Sequence, residues 1–154
     1  MIKKLDLNLR NTLKEVYDLQ RASYQIEAQL INFFEIPPLT ESIEDLGACD
    51  ETFLGYFEEE TLAGAISYTV KEHELTICRM IVHPNHFRKG IAQKLLKKVE
   101  EQNQNISVLY VSTGKENLPA KNLYLKNGFQ FVSDQEVVPG LYISHLIKEK
   151  HQPK

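Results

Sequence analysis

Residues 83–96 of this 154-residue chain read His83-Pro84-Asn85-His86-Phe87-Arg88-Lys89-Gly90-Ile91-Ala92-Gln93-Lys94-Leu95-Leu96. An apolar strand leads into this stretch, a short turn with one glycine follows, and the turn opens a helix. The first N–H groups of a helix have no acceptor within the helix and lie at the positive end of its dipole. Because Gly90 has no Cβ to keep a ligand away from these groups, the stretch predicts a phosphate site. Taken alone, a loosely started helix with ordinary surface cations would explain the turn equally well.

Two common phosphate-binding motifs do not fit this turn. A P-loop needs Gly-Lys-Ser/Thr after four intervening residues, and a dinucleotide-binding turn needs three spaced glycines, whereas Gly90 is alone. The segment Phe87-Arg88-Lys89-Gly90-Ile91-Ala92 instead resembles the Gln/Arg-x-x-Gly-x-Gly/Ala motif of the GNAT superfamily of acyl-CoA-dependent N-acetyltransferases. Phe87 departs from the first motif position. In the family this loop holds the pyrophosphate of acetyl-CoA mainly through main-chain N–H groups, so the departure affects one side-chain contact only.

A second segment carries the same resemblance. Residues 117–129 read Asn117-Leu118-Pro119-Ala120-Lys121-Asn122-Leu123-Tyr124-Leu125-Lys126-Asn127-Gly128-Phe129. They resemble the family's Asn-x-x-Ala-x-x-Leu-Tyr-x-x-x-Gly-Phe signature at every signature position. Taken alone, Tyr124 would be an amphipathic residue that bridges core and water. The two signatures in the family's order favour a functional tyrosine.

The resemblance implies a mixed α/β fold with a mostly antiparallel central sheet of six to seven strands. The sheet would be splayed between its fourth and fifth strands and flanked by about four helices. The pantetheine arm of the co-substrate acetyl-CoA would lie in the splay, with Val111–Thr113 as the second wall. The implied cofactor-binding residues are Ile81 and Val82 through their main chain, then Phe87, Arg88, Lys89, Gly90, Ile91, Ala92, Asn117 and Tyr124. Tyr124 would protonate the departing thiolate, which suits a phenol with a pKa of about 10.

The hydrophobic pattern predicts the same order of elements. Strands are predicted at Ile2–Leu7, Phe53–Phe57, Leu62–Val70, Glu74–Val82, Ser107–Ser112, Phe129–Val137 and Leu141–Ile147. Helices are predicted from about Leu13 to a break at Phe33–Pro38, from about Thr40 to Leu46, from Ile91 through Val99, and between Asn117 and Gly128. This length predicts one domain over residues 1–149, followed by a frayed tail at residues 150–154.

Neither motif identifies the group that deprotonates the acceptor amine. By the two-residue period, one face of the fourth strand carries Glu74, Thr76, Cys78 and Met80. Some relatives have a carboxylate base on this strand, but the matching position is Thr76, which cannot serve. Glu74 is the candidate catalytic carboxylate, acting through a water, and Glu35 could instead line the acceptor pocket. For both, an ordinary solvated carboxylate is the alternative. Cys78 is expected in the core.

Charge is distributed unevenly along the chain. Residues 1–75 carry 15 acidic and 6 basic side chains, whereas residues 76–154 carry 6 acidic and 12 basic ones. The basic half suits a polyanionic cofactor and the acidic half suits a cationic amine, although solvated faces explain the acidic half equally well. There is no dense basic stripe for nucleic acid, no apolar run for a membrane span, and no Cys pattern for a metal. A cytoplasmic protein without a metal is therefore expected.

The predicted activity is transfer of an acetyl group from acetyl-CoA to a primary amine by direct nucleophilic attack. The acceptor, a small-molecule or peptide amine, is not identified by the sequence. A non-catalytic acyl-CoA-binding sensor or subunit is the alternative function. A structural interaction domain is a third possibility, which the joint match of two motifs disfavours. Edge strands of the sheet could pair into a homodimer, although nothing in the sequence requires this.

Overall fold

The computed structural model describes residues 1–31 and 40–150, without the side chains of residues 30 and 31. The predicted helix break at Phe33–Pro38, the candidate pocket residue Glu35 and residues 151–154 of the predicted tail lie outside the described residues. Lys150, where that tail was predicted to begin, donates its main-chain N–H to the Ser107 carbonyl at 2.8 Å.

The described residues form a mixed α/β fold around a seven-stranded sheet. In chain order the elements are β1 (Ile2–Leu5), α1 (Arg10–Ile31), α2 (Ile43–Ala48), β2 (Thr52–Glu58), β3 (Thr61–Lys71), β4 (Glu74–Val82), a 3-10 turn (Pro84–His86), α3 (Ile91–Gln102), β5 (Val108–Gly114), α4 (Leu118–Lys126), β6 (Gln130–Val138) and β7 (Leu141–Glu149). The strands lie side by side in the order β1-β2-β3-β4-β5-β7-β6. All neighbours are antiparallel except β4 and β5, which are parallel. The predicted fold class is confirmed.

Capping and turn chemistry explain where two elements differ from their predicted bounds. β1 ends at Leu5, two residues early, because Asp6 starts a turn in which its carboxylate accepts the Asn8 N–H at 3.0 Å. α2 begins at Ile43 because the Ser42 hydroxyl caps it by accepting the Asp45 N–H at 3.1 Å.

Two apolar clusters lie on opposite faces of the sheet. The cluster under α3 contains the four residues of the predicted helical stripe, Ile91, Leu95, Leu96 and Val99, and all four are buried. The cluster under α1 contains Val16, Leu19 and Ala28 from that helix, together with residues of β2, β3 and β4. Each fully buried leucine contributes roughly 1.5–3 kcal/mol relative to an exposed one. These clusters fix α1 and α3 on the sheet and so position both sides of the parallel pair.

A β-bulge in β4 decides which residues face which helix. Ile77 lies opposite Tyr68 of β3 and Arg79 lies opposite Ser67, so Cys78 is the extra residue. Before the bulge Leu75 and Ile77 face α3, whereas after it Ile81 faces α1 and Met80 packs toward α3. The prediction that Met80 shares a face with Glu74 and Thr76 is therefore wrong. The prediction that Cys78 is a core residue is also wrong, because Cys78 continues the exposed face of Glu74 and Thr76.

The same bulge marks the point where the sheet opens. β4 and β5 are paired only from Glu74 opposite Val108 to Ile77 opposite Val111. Beyond Ile77 the two parallel strands separate, as predicted for the fourth and fifth strands. The resulting gap lies at the carboxyl ends of both strands.

Candidate active site

The turn after β4 has the backbone geometry of an anion site. His83 caps the 3-10 turn by accepting the Asn85 N–H on Nδ1 at 3.1 Å. Arg88 and Gly90 then have positive φ angles of 67° and 75°, and Gly90 precedes α3 without a side chain that could cap it. A Cβ built on Gly90 would meet nothing within 4 Å. Left-handed residues of this kind turn successive N–H groups toward one point, so the turn fits a pyrophosphate.

The two cations of this turn differ in their surroundings. The Lys89 Nζ lies 2.9 Å from Glu58 Oε2 and 3.0 Å from His86 Nδ1. The hydrogen bond from Lys89 holds the pKa of the Glu58 carboxyl below its usual value. Arg88 is exposed. The sequence predicted both side chains as supporting charge for a phosphate, and in this structure Glu58 partly neutralises Lys89.

The gap between β4 and β5 is a pocket of about 360 Å³. Four parts of the chain surround it: α1, the second half of β4, the end of β5 with α4, and the β6–β7 hairpin. The lining residues are Tyr24, Glu27, Ile77, Cys78, Arg79, Met80, Val111, Ser112, Thr113, Gly114, Asn117, Ala120, Leu123, Tyr124, Val137, Leu141 and Ile143. The predicted second wall at Val111–Thr113 is part of this lining.

Main-chain N–H groups of β4 face the gap at every second residue. Ile81 lies in register with Ala65 of β3, and the His83 N–H donates to the Ala63 carbonyl at 2.9 Å. By the alternation of an antiparallel ladder, Ile81 therefore points its main chain at β3, whereas Met80 and Val82 point theirs at the gap. The sequence analysis named Ile81 and Val82 for main-chain contacts with the cofactor; the ladder points the main chain of Ile81 at β3 instead and adds Met80, which the sequence analysis missed.

Helix α1 places a hydroxyl near each of these donors. The Val82 N–H donates to Ser23 Oγ at 3.2 Å, and the Met80 N–H lies near the Tyr24 hydroxyl and opposes the increase in its pKa that burial causes. Tyr24 is buried, and its pKa is raised by that burial and by the nearby Glu27 charge. No local sequence pattern indicates these two roles, because each contact joins residues about 60 positions apart.

Tyr124 lies in the gap. It is 3% exposed and packs edge to face on Phe129, with ring centroids 5.4 Å apart. Burial, followed by the charge of Glu27, raises the pKa of its phenol above the usual value. The helix that carries it is capped by Asn117, whose Oδ1 accepts the Ala120 N–H at 3.3 Å. Tyr124 and Asn117 therefore both line the same pocket.

Glu27 is a lining residue that the sequence analysis missed. It follows Tyr24 on α1 by three residues, so both side chains lie on one face of the helix. Burial raises the pKa of the Glu27 carboxyl, and hydrogen bonds from the Asn117 side chain and the Gly114 N–H oppose this increase. No motif marks the position.

Glu74 is not brought to the pocket. It lies at the start of β4, in the part of the strand that is still paired with β5, and its carboxylate accepts a hydrogen bond from the Tyr110 hydroxyl at 3.2 Å. Cys78 lies four positions further along β4, about 13 Å of extended strand away. The structure places Tyr124 and Glu27 together and Glu74 apart from them.

Arg79 anchors the α1 side of the pocket. It donates to Glu41 at 2.6 and 3.1 Å and to Glu51 at 2.9 and 3.2 Å. A further bond joins it to Gln20 Oε1 at 2.7 Å. Its side chain is 11% exposed. This cluster ties β4 to α1 and to the segments before α2 and β2.

A sheet that opens beside an anion-binding turn, with a tyrosine in the opening, defines the class of acyl-CoA-dependent transferases. The model of the acetyltransferase (GNAT) family matches residues 13–129. The chain belongs to this family.

One curated relative and several solved structures are similar to this chain. YqkA, a UPF0157 protein of Bacillus subtilis (strain 168), is 38% identical over 152 residues, which cover 97% of this chain and 44% of YqkA. The chain thus spans less than half the length of that relative. PaiA N-acetyltransferase from Thermoplasma acidophilum, solved in complex with coenzyme A, has a TM-score of 0.78 at 22% identity and covers 97% of this chain and 98% of its own.

The ribosomal-protein-S18-alanine N-acetyltransferase of Escherichia coli also has a TM-score of 0.78, at 15% identity, and covers 100% of this chain and 97% of its own. Identities this low establish the fold alone. Among the described residues, no helix has the length and apolar character needed to cross a membrane.

Proposed function

We propose that this protein transfers the acetyl group of acetyl-CoA to a primary amine by direct attack, with Tyr124 protonating the CoA thiolate. The observation that carries the proposal is a buried tyrosine hydroxyl in a pocket of about 360 Å³, opened by the separation of β4 and β5. Acetyl-CoA supplies a thioester, whose carbonyl carbon is the electrophile. The chain's own groups bind it, orient it and move the protons.

Three sets of groups would hold acetyl-CoA. The N–H groups of residues 88–92 would bind the pyrophosphate, since Gly90 leaves their approach open. The N–H groups of Met80 and Val82 face the gap and could donate to the pantetheine or to the thioester carbonyl in place of Tyr24 and Ser23. The Asn117 side chain lies at the same gap.

Tyr124 would act as a general acid. Because burial and the Glu27 charge raise the pKa of its phenol, the hydroxyl stays protonated at neutral pH and has a proton to give. A positioned acid of this kind contributes roughly 10²- to 10⁴-fold in rate. The acceptor would be a small-molecule or peptide amine that reaches the pocket as the neutral base.

The test is thiol release from acetyl-CoA in the presence of propylamine, spermidine or a short peptide with a free N-terminus. Coenzyme A binding is measured in parallel by calorimetry. We expect thiol release with at least one amine class, together with binding. Binding without amine-dependent thiol release would favour the acyl-CoA sensor instead, and absence of binding would remove both functions.

The proton-donor role has its own variant and control. Tyr124→Phe should lower kcat while leaving coenzyme A affinity nearly intact. Tyr142→Phe makes the same chemical change at a tyrosine of β7 that is 42% exposed, and it should leave both quantities unchanged. Equal turnover in the two variants would exclude Tyr124 as the acid.

A further inference from the structure

We propose that Glu27 is the general base that takes a proton from the acceptor amine and then returns it to Tyr124. This inference rests on the proposed function and assigns the base for which the sequence offered Glu74, with Glu35 as a second pocket carboxylate outside the described residues. It replaces Glu74, which is exposed and hydrogen-bonded to Tyr110 outside the gap.

The pocket lining places one carboxylate at the reaction site. Among the described residues that line the gap, the ionisable side chains are Tyr24, Glu27, Cys78, Arg79 and Tyr124. Arg79 directs its guanidinium at Glu41 and Glu51, at 2.6 and 2.9 Å, and Gln20 takes a further bond. The arginine is therefore engaged by two other carboxylates. Glu27 is the carboxylate that remains within the lining.

Two polar groups of the opposite wall face Glu27 across the gap. The Asn117 amide and the Gly114 N–H, both at the junction of β5 and α4, line the same pocket, and both oppose the increase in the pKa of the Glu27 carboxyl that burial causes. Tyr124 lies on the helix that Asn117 caps, and burial and the nearby charge of Glu27 raise the pKa of the Tyr124 phenol. The carboxylate thus lies near Tyr124 without a partner cation in the described lining.

The surroundings make this carboxyl more basic than an ordinary glutamate. Its own helix presents Tyr24, α4 presents Tyr124, and β4 presents Cys78 and Arg79. The β6–β7 hairpin presents only apolar side chains, at Val137, Leu141 and Ile143. Burial raises the pKa of Glu27, and the two hydrogen bonds oppose that increase. A base whose pKa lies nearer the working pH transfers protons more effectively.

The proton balance closes within the pair. As the neutral amine nitrogen forms its bond to the carbonyl carbon, it gives one proton to the Glu27 carboxylate. The carbon–sulfur bond breaks, and the CoA sulfur takes the proton of the Tyr124 hydroxyl. Protonated Glu27 then returns its proton to the Tyr124 phenolate, directly or through a water. The products are an acetamide and free CoA thiol, and both side chains regain their starting states.

The test compares Glu27→Gln with wild type and with Glu15→Gln, an exposed position on the same helix that serves as a matched control. Thiol release is followed from pH 5 to 9 with whichever of the three amines above wild type turns over fastest. Glutamine keeps the size of Glu27 and an oxygen for the Gly114 N–H. We expect kcat to fall about 10²-fold or more and its decline toward acidic pH to disappear, while the coenzyme A affinity and the thermal midpoint stay unchanged.

The opposite results overturn the assignment. If kcat of Glu27→Gln still declines toward acidic pH (the acidic limb of the pH profile), another group is responsible for that titration. A kcat loss that is equal at every pH and accompanied by a lower thermal midpoint would make Glu27 a structural bridge. A Glu74→Gln variant that removes the acidic limb would restore Glu74 as the base. Failure of wild type to release thiol with all three amines would instead contradict the proposed function itself.

Discussion

Replacing Gly90 by alanine tests two properties of the phosphate turn separately, its backbone strain and its binding of coenzyme A. Gly90 has a φ of 75°, where a residue with a Cβ is strained by about 1–2 kcal/mol. The added methyl group would touch nothing in the free protein, since no atom lies within 4 Å of its position. The folded state should therefore lose about 1–2 kcal/mol from backbone strain alone. For a chain of this length that is a decrease of about 2–8 °C in Tm.

Coenzyme A binding should suffer more than stability. The methyl group would occupy the space through which a phosphate approaches the N–H groups at the start of α3. Loss of one hydrogen bond to a charged group costs about 1.5–3 kcal/mol, which corresponds to a roughly 10- to 100-fold weaker Kd. Calorimetric titration with coenzyme A measures the affinity, and thermal unfolding measures the strain.

Gly140 provides a control with matched geometry. It lies in the β6–β7 turn with a φ of 86°, and a Cβ there would also meet nothing within 4 Å. Gly140→Ala should show a similar decrease in Tm and an unchanged Kd. The phosphate turn would be refuted as the binding site by a Gly90→Ala variant that binds coenzyme A as wild type does, or by equal losses of affinity in both variants.

Three further predictions address other contacts of the site. Tyr124→Phe should reduce kcat about 10²-fold or more with little change in coenzyme A affinity, as measured by thiol release and calorimetry. Glu58→Gln should tighten coenzyme A binding about threefold at low salt, because it removes the anion that Lys89 contacts at 2.9 Å. This gain over wild type should vanish at high salt, and a gain that is the same at low and high salt would contradict the reasoning.

Arg79→Met should lower the free energy of unfolding, measured in urea, by about 3 kcal/mol, because Glu41 and Glu51 lose their cation. A loss below about 1 kcal/mol would contradict a structural role for Arg79. Burial would raise the pKa of Glu41, but hydrogen bonds from Arg79 and Gln20 outweigh it and lower the pKa. The contribution of Glu41 is thus complete above its unfolded pKa of about 4.5 and is lost as the pH falls through the lower folded value, so wild type should lose more stability on acidification than Arg79→Met.

The sequence predicted the parts of the fold that local patterns encode. The stripe of α3 is a periodic signal within one helix, and the four residues named from it are buried. Tyr124 and Asn117 belong to one short motif on one helix, so their common place in the gap followed from a few residues of sequence. Gly90 was identified as the glycine of the turn before α3 for the same reason, because that motif also spans only a few residues.

These local sequence patterns did not predict contacts between segments that are distant in the chain. The acceptors of Arg79 lie 28, 38 and 59 residues away, on elements whose packing no local pattern specifies. Glu27 reaches the gap because α1 packs across β3 and β4, and its contacts at Gly114 and Asn117 come from the far wall. A helix position without a motif gives no indication of such neighbours.

The bulge at Cys78 is the feature that connects the fold with both polar groups. Strict alternation along β4 would put Arg79 on the same face as Leu75 and Ile77, against the apolar cluster under α3. An unpaired guanidinium there would cost several kcal/mol. The extra residue turns Arg79 to the α1 face instead, where Glu41 and Glu51 meet it, and it ends the β4–β5 ladder at the same point. One added residue therefore opens the pocket and supplies the arginine with its carboxylates, which leaves Glu27 to face Tyr124.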